Sequence, residues 1–554
     1  MRRTLLLMVC AASCALPPVA TAAAGPLAAA PRQAPLASTG PTVSVTDQRS
    51  ASALSSGQST SSESPIPVPA SDTPPAGRRL SANRILAIAG ALSKMRAIRR
   101  EYPGSYGGAY LKLPFHWQVS YFSRNGKKEI GQVIIDDASG RVLEQWTGFQ
   151  VPWTMARGYP GAFGRHVSAL YVWLPLCVLF LLPFIDFRRP FSLLHLDLLV
   201  LLSLSVSLAF FNHGNIYASV PTVYPPLVYL LARMLALSRS GRSGSARPLR
   251  LLVPAPWLAL GVVFLIGFRI ALNVTDSNVI DVGYAGVIGA QRIVDGKPLY
   301  GSFPTDNQHG DTYGPVNYEA YVPFQQIFGW NGTWGDLPAA HAAAIVFDLL
   351  AVALIFLLGR RVRGPTLGIA LAYAWVSYPF TLFALESNSN DTLVAVLVLA
   401  ALLAASTAPA RGVFAALAGL TKFAPLALVP LLATHGSWRE SAPAVDDRSQ
   451  AKAPPSPPRA RGALRGLATF FLAFLLTAAL VSIPALSHDS LHTIYERTIA
   501  YQANRGSPFS VWGIYGGLGG LQRAVQVMAA VLAVSLALVG RNRDVVGLAA
   551  ACAA

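Results

Sequence analysis

Carboxylates gather in one part of a chain that is otherwise basic. Residues 271–338 contain Asp276, Asp281, Asp295, Asp306, Asp311, Glu319 and Asp336 against only Arg292 and Lys297, while the whole sequence carries a net charge of +18. A carboxylate within hydrogen-bond reach of a hydroxyl can act as a general base, an effect of about 10²–10⁴-fold. The same stretch is punctuated by aromatic residues and glycines, VIDVGYAGVIGAQRIVDGKPLYG and then HGDTYGPVNYEAYVPF, which a merely solvated loop does not require. Cations able to meet an anionic group lie elsewhere. Arg497 and Arg505 are the only Lys or Arg residues between 486 and 520. A guanidinium fork can hold two phosphate oxygens at once; anchoring to lipid headgroups is an equal reading of Arg505. Lys422 stands inside the apolar run 411–434. An ionisable group in such a run costs about 2.5–3.5 kcal/mol on insertion scales and marks a functional position, unless it snorkels from a single-span helix. Glu386, Asn388, Asn390 and Asp391 cluster between two apolar runs. They either line a cavity or cap the helix that begins near Thr392, capping being the simpler role for Asp391 alone.

Other chemistries lack their parts. The stretches 271–338 and 486–520 have no Asp-x-Asp pattern, so neither a divalent metal nor a cofactor is expected. His309 stands outside any metal-ligand spacing, and the four cysteines form no metal or disulfide framework. The sequence has no Walker loop, no dinucleotide-binding glycine fingerprint and no Gly-x-Ser-x-Gly elbow.

The elements that must position these residues are apolar helices. Hydrophobic residues make up 53% of the 554 and charged residues 13%, against about 25% charged in soluble proteins. A soluble fold of this size could not bury so much apolar surface. Runs long enough to cross a bilayer fall at 167–185, 194–211, 220–237, 251–270, 339–358, 366–385, 391–407, 466–485 and 521–540. The charge belongs to the short basic clusters between them, which argues against a nucleic-acid partner. If the amino-terminal part lies outside, alternation puts Arg188 and Arg189, Arg239 to Arg250, Arg360 to Arg363, and Arg541 and Arg543 inside, as the positive-inside rule asks. The run 411–434 would break that order by placing the basic linker 435–465 outside. It is therefore read as a re-entrant hairpin with Lys422 and Pro425 near its apex, with a single span as the alternative.

Residues 1–22 read as a signal peptide, and 23–79, rich in Ala, Pro, Ser and Thr, as a disordered tether. Residues 80–165 read as a soluble α+β domain. It has one amphipathic helix through Ile85, Ile88, Ala89, Leu92 and Met95, then strands in WQVSYF, EIGQVIID and RVLEQWTG around the Asp137–Gly140 turn. A helix followed by a strand pair around IDDASGRVLE resembles a PepSY domain, a small extracytoplasmic module thought of as regulatory. Three helices at 167–237 follow, then a core at 251–540. The last residues, 541–554, read as a cytoplasmic tail or the start of a further span.

Within 250–540 the order of motifs resembles the C-type membrane glycosyltransferases (GT-C), and among them the polyprenyl-phosphate-mannose-dependent mannosyltransferases. The motifs are Asp281-Val282-Gly283-Tyr284 after an apolar span, Asp295-Gly296-Lys297-Pro298-Leu299-Tyr300, Tyr313-Gly314-Pro315 with Pro323, Asn390-Asp391 heading an apolar run, and Leu420-Thr421-Lys422-Phe423-Ala424-Pro425. The apolar runs give a helical membrane protein of about nine spans plus the hairpin, and the resemblance implies that it is GT-C-like. It implies inverting transfer of a hexose, mannose foremost, from a polyprenyl-phosphate donor to an extracytoplasmic glycan or glycolipid acceptor at a bacterial plasma membrane. It also implies a catalytic Asp in the first outside loop, which maps to Asp281 with Asp276 as competitor. Lys422, Arg505, Asp311, Tyr313, Glu386, Asn390 and Asp391 are then the candidates for substrate binding. A lipid or sugar transporter and an envelope sensor remain the alternatives.

Overall fold

The computed structural model describes residues 66–112, 115–126, 128–148, 151, 166–213, 215–239, 251–304, 307–332, 334, 337–436, 459–504, 507, 509–539 and 543–554. The expected signal peptide, most of the tether, Asp306, Asp336, most of the basic linker and Arg505 lie outside the described residues. The chain forms two compact units.

The smaller unit is a five-stranded antiparallel meander covered by two helices. Its strands are β1 (Ile66–Val68), β2 (Tyr106–Lys112), β3 (His116–Phe122), β4 (Glu129–Asp136) and β5 (Val142–Thr147), in that spatial order. The helices are α1 (Ala82–Gly90) and α2 (Ser93–Glu101). Alternate residues of the central strands, Trp117 and Val119 on β3 and Val133 and Ile135 on β4, join Ile85, Ala89, Met95 and Ile98 in one core, as a period of two on strands requires. Two sequence expectations change here. The single helix is broken after Gly90, because Leu92 takes extended backbone at φ −70° and ψ 136°. The break lets Ile85 and Ala89 on one helix and Met95 and Ile98 on the next reach the same core. Residues 66–68, read as tether, form β1 against β2. β2 itself escaped the pattern because Gly107 and Gly108 offer no side chain to alternate.

The larger unit is helical. It contains α3 (Leu170–Leu181), α4 (Leu193–Asn212), α5 (Ile216–Arg239), α6 (Ala255–Asp276), α7 (Asp281–Val294), α8 (Pro315–Glu319) and α9 (Val322–Phe328). It continues with α10 (Pro338–Arg363), α11 (Pro365–Ser377), α12 (Pro379–Glu386), α13 (Asp391–Leu403), α14 (Ala408–Thr421), α15 (Val429–Thr434), α16 (Arg459–Val481), α17 (Gly519–Leu538) and α18 (Val545–Ala553). Among the described residues, six helices are long and apolar enough to cross a membrane, or seven if α11 and α12, bent by 59°, make one broken span. The protein is a multi-pass membrane protein, with fewer full-length helices than the nine runs read from sequence. The run at 391–407 shows why. Its helix α13 has 13 residues, about 20 Å at 1.5 Å each, short of a hydrocarbon core of about 30 Å. Thr392 to Leu402 are all buried within the protein, so this run packs as a core helix. The run at 366–385 bends at Tyr378, whose ψ of 120° leaves the helical region, as the residue before a proline tends to do.

Buried ion pairs tie the helices. Arg233 on α5 binds Asp197 on α4 with Nε to Oδ1 at 2.9 Å and Nη2 to Oδ2 at 2.8 Å, and the Tyr229 hydroxyl donates to the same carboxylate. Arg269 on α6 binds Asp348 on α10 in the same forked way at 3.0 and 2.7 Å, and also donates to the Thr381 carbonyl at 3.0 Å. The Trp375 indole donates to Asp348 at 2.8 Å. Asp197 and Asp348, carboxylates inside apolar runs, thus serve as polar contacts between helices.

Residues 408–434 double back. Arg411, in the first turn of α14, donates from Nε to the Leu432 carbonyl at 2.9 Å and from Nη2 to the His435 carbonyl at 2.7 Å. The two ends of the segment therefore meet. The helix stops at Lys422, which is extended at φ −135° and ψ 142°, and a 3₁₀ turn over Ala424–Leu428 starts the return.

Candidate functional site

The site grows from the turn between α12 and α13. Asn388 there adopts φ 50°, a left-handed conformation that Asn tolerates better than most residues. It is held in place by α6 and the residues after it. Asn273 donates to Asn388 Oδ1 at 2.8 Å and to the Leu385 carbonyl at 3.0 Å, while Asn388 Nδ2 donates to Ser277 Oγ at 2.8 Å and the Asn278 carbonyl at 3.1 Å. The backbone N–H of Ile280 donates to the Ser387 carbonyl at 3.2 Å. One residue later α7 begins at Asp281, which is half-buried, and Asn307 donates to the Asp281 carbonyl at 2.9 Å. A carboxylate in the first turn is favoured by the positive end of the helix dipole. Gly283 lies so close to the Asn388 carbonyl that a Cβ would overlap it. Asp281 is thereby fixed beside the turn that starts α13.

The first long loop folds back onto the break at Lys422. Asp489 anchors its beginning, accepting from the backbone N–H of Leu299 at 2.7 Å and of Tyr300 at 3.3 Å. Burial pushes the Asp489 carboxyl up, while the two N–H donors and Arg292 oppose that shift. Asp311, fully buried, accepts from Gly301 N at 2.6 Å and from Arg497 Nε at 2.7 Å, with a second bond from the same guanidinium. These bonds to Asp311 raise the Arg497 pKa above its usual value. The Tyr300 hydroxyl donates to the Tyr313 carbonyl at 3.0 Å, and the Tyr313 N–H donates to the Tyr318 hydroxyl at 3.2 Å. Gly314 follows, against the Leu420 carbonyl, where a Cβ would overlap.

That approach brings three sequence-selected residues together. The Lys422 ammonium donates to Asp391 Oδ1 and stands 5.6 Å from the centre of the Tyr313 ring. Asp391 Oδ2 accepts from Ser389 at 3.0 Å. The Lys422 and Asp391 side chains are only 17% and 19% exposed. The neighbouring Asn390, fully buried, donates to Asn317 on α8. Glu386 is also fully buried, and among the described residues neither of its carboxylate oxygens has a hydrogen-bond partner.

Other expectations fare differently. Asp311 is bound to Arg497 and not to the Lys422 group. Arg497, expected from sequence to matter less than Arg505, is a forked partner of a buried carboxylate. Arg505 lies outside the described residues. Asp276 ends α6 and accepts from the His166 N–H at 2.8 Å. Sequence reading missed Arg269, though an Arg inside an apolar run is itself the signal for a buried partner. It also missed Asp489, whose only sequence mark is its place in the stretch 486–520. Glu319, at the end of α8, was read only as part of the acidic loop. Burial pushes its carboxyl up to about 7, which is suited to proton exchange near neutral pH. Among the described residues no group of three or more His, Cys, Asp or Glu is placed to hold a metal ion.

Residues 312–445 match the family model of Glycosyltransferase family 87. The matched stretch contains Tyr313, Glu319, Glu386, Asn390, Asp391 and Lys422, and leaves out Asp281, Asp311 and Arg497. The match marks the protein as a glycosyltransferase without naming its donor or acceptor. No curated protein and no solved structure matches the chain.

Proposed function

We propose that the protein transfers a hexose, mannose foremost, from a polyprenyl-phosphate donor to an extracytoplasmic glycan or glycolipid, with inversion at the anomeric carbon. The observation that carries this reading is the meeting of Lys422, Asp391 and Tyr313 at a break between helices, with Asp391 three residues along the chain from Asn388, whose side chain holds the residues just before Asp281. A lipid-linked donor keeps its chain in the bilayer and offers its phosphate where helices end. Lys422 is a compact cation for that phosphate, and Asp391 holds it in a partly buried place where an unpaired charge would be costly. Tyr313 lays a ring beside the same ammonium and supplies a face on which a sugar can stack.

Asp281 takes the acceptor hydroxyl proton as that oxygen attacks the anomeric carbon. The bond from that carbon to the phosphate oxygen breaks, and the leaving phosphate takes up the electron pair. Charge that develops on the phosphate meets Lys422, so the cation contributes most in the transition state. Arg505 is retained as a second phosphate ligand in this reading. Glu386, Asn390 and Asp311 act as its sugar-binding and loop-shaping groups.

The test is incubation of membranes containing the protein with radiolabelled polyprenyl-phosphate mannose, glucose and arabinose, followed by extraction of lipid and glycan products. Label should move from one donor into an acid-stable product. Absence of transfer from every donor, together with donor lipid crossing proteoliposomes, would replace this reading by that of a transporter.

A further inference from the structure

The smaller unit carries a basic cleft that the transfer reaction does not use. It has a volume of about 540 Å³ and is lined by Ser93, Arg96, Arg99, Arg100, Gly104 and Ser105. Helix α2 explains its polarity. Met95 and Ile98 face the core, while Arg96, Arg99 and Arg100 are exposed, with Arg96 three and four residues from the other two. Like charges at that spacing repel and weaken a helix. Yet among the described residues none of the three forms an ion pair, and neither does Arg124, whose side chain passes Gly104, where a Cβ would stand 3.2 Å from Arg124 Cδ. Two of the arginines are held in place by contacts that leave the charge unneutralised. Arg99 lies 5.5 Å from the centre of the Tyr121 ring, and Arg100 Nε donates to the Arg96 carbonyl at 3.4 Å.

We propose that this cleft binds a phosphate ester carried on a soluble sugar chain. Guanidinium forks match phosphate oxygens in pairs, the Ser93 and Ser105 hydroxyls suit a sugar, and the volume falls in the range of small-ligand sites. A lipid surface offers the same phosphate chemistry, but membrane-binding helices add an apolar face that enters the bilayer. The apolar face of α2 is already spent on the core. The proposal stands apart from the donor and the reaction assigned above, so binding is the readout and transfer activity plays no part.

The test uses the full chain in discs of neutral phosphatidylcholine and a fluorescent mannose oligosaccharide bearing phosphomonoesters. Binding should weaken about tenfold or more in the R96Q/R99Q/R100Q variant and about threefold in R96Q or R100Q alone, with unchanged circular dichroism. Arg141→Gln, outside the cleft, should bind normally, and the dephosphorylated oligosaccharide should not bind. Equal affinity of the triple variant, or equal loss in Arg141→Gln, overturns the site. Loss of oligosaccharide binding by the unaltered chain when phosphatidylglycerol is added to the discs overturns it in favour of a lipid ligand.

Discussion

Lys422 and Asp391 meet although 31 residues separate them in the chain. One closes the outgoing half of a doubled-back segment and the other opens a buried helix. If the pair receives the donor phosphate, Lys422→Met should weaken donor binding by roughly 10-fold or more, the scale of one charge-assisted hydrogen bond. Asp391→Asn should act less on affinity, since the cation remains. Donor titration against both variants decides this, and unchanged affinity in Lys422→Met would remove the lysine from the site.

If Asp281 is the base, Asp281→Asn should leave expression and donor binding intact and lower turnover by roughly 10²-fold or more. Asp276→Asn should act much less, because that carboxylate already accepts from the His166 backbone. Single-turnover rates with one donor compare the two. A dead Asp276→Asn beside an active Asp281→Asn would reverse the assignment.

Gly314 lets the first loop touch the end of α14. A methyl group at this position overlaps the Leu420 carbonyl, and backbone on both sides cannot swing away as a side chain could. Gly314→Ala should therefore part Tyr313 from Lys422, with donor binding reduced by about 10-fold and a lower thermal midpoint. Normal binding and stability in this variant would show that the loop approach is dispensable.

The Arg269–Asp348 pair is almost wholly buried, with side chains 1% and 5% exposed. Asp348→Ala leaves a charged guanidinium without its partner, and a loss of about 3–5 kcal/mol is expected. A joint Arg269→Met and Asp348→Leu replacement should lose much less. Thermal unfolding in detergent separates the two, and equal losses would mean that packing rather than charge is at stake.

Glu319 predicts a pH effect. Burial raises its folded-state pKa from 4.5 to about 7, so the folded protein keeps the proton longer than the unfolded chain. Its contribution is most favourable below about pH 4.5 and is lost as pH rises towards 7. Glu319→Gln should therefore raise stability at pH 8 relative to pH 5, by no more than about 1–2 kcal/mol once solvent screening of this partly exposed group is allowed for. Parallel melting curves at the two pH values would count against the burial effect.

The amino-acid sequence by itself determined that this is a helical membrane protein with a small α+β unit. Composition and run length carry that information, because apolar surface must be hidden from water wherever the chain goes. The strands WQVSYF and EIGQVIID were legible because alternation is local. So was the break at Lys422, marked by a charge and a proline inside an apolar run. Tertiary structure decided the rest. Run length cannot tell a bilayer-spanning helix from one wrapped in protein, which is why α13 read as a span. A charge inside an apolar run signals that a partner exists, but which distant segment supplies it leaves no local trace. Arg497 ranks below Arg505 as a loop cation in the sequence, and only the fold sets it against the buried Asp311 carboxylate; Lys422 meets Asp391 and Tyr313 only where Gly314 lets two backbones touch.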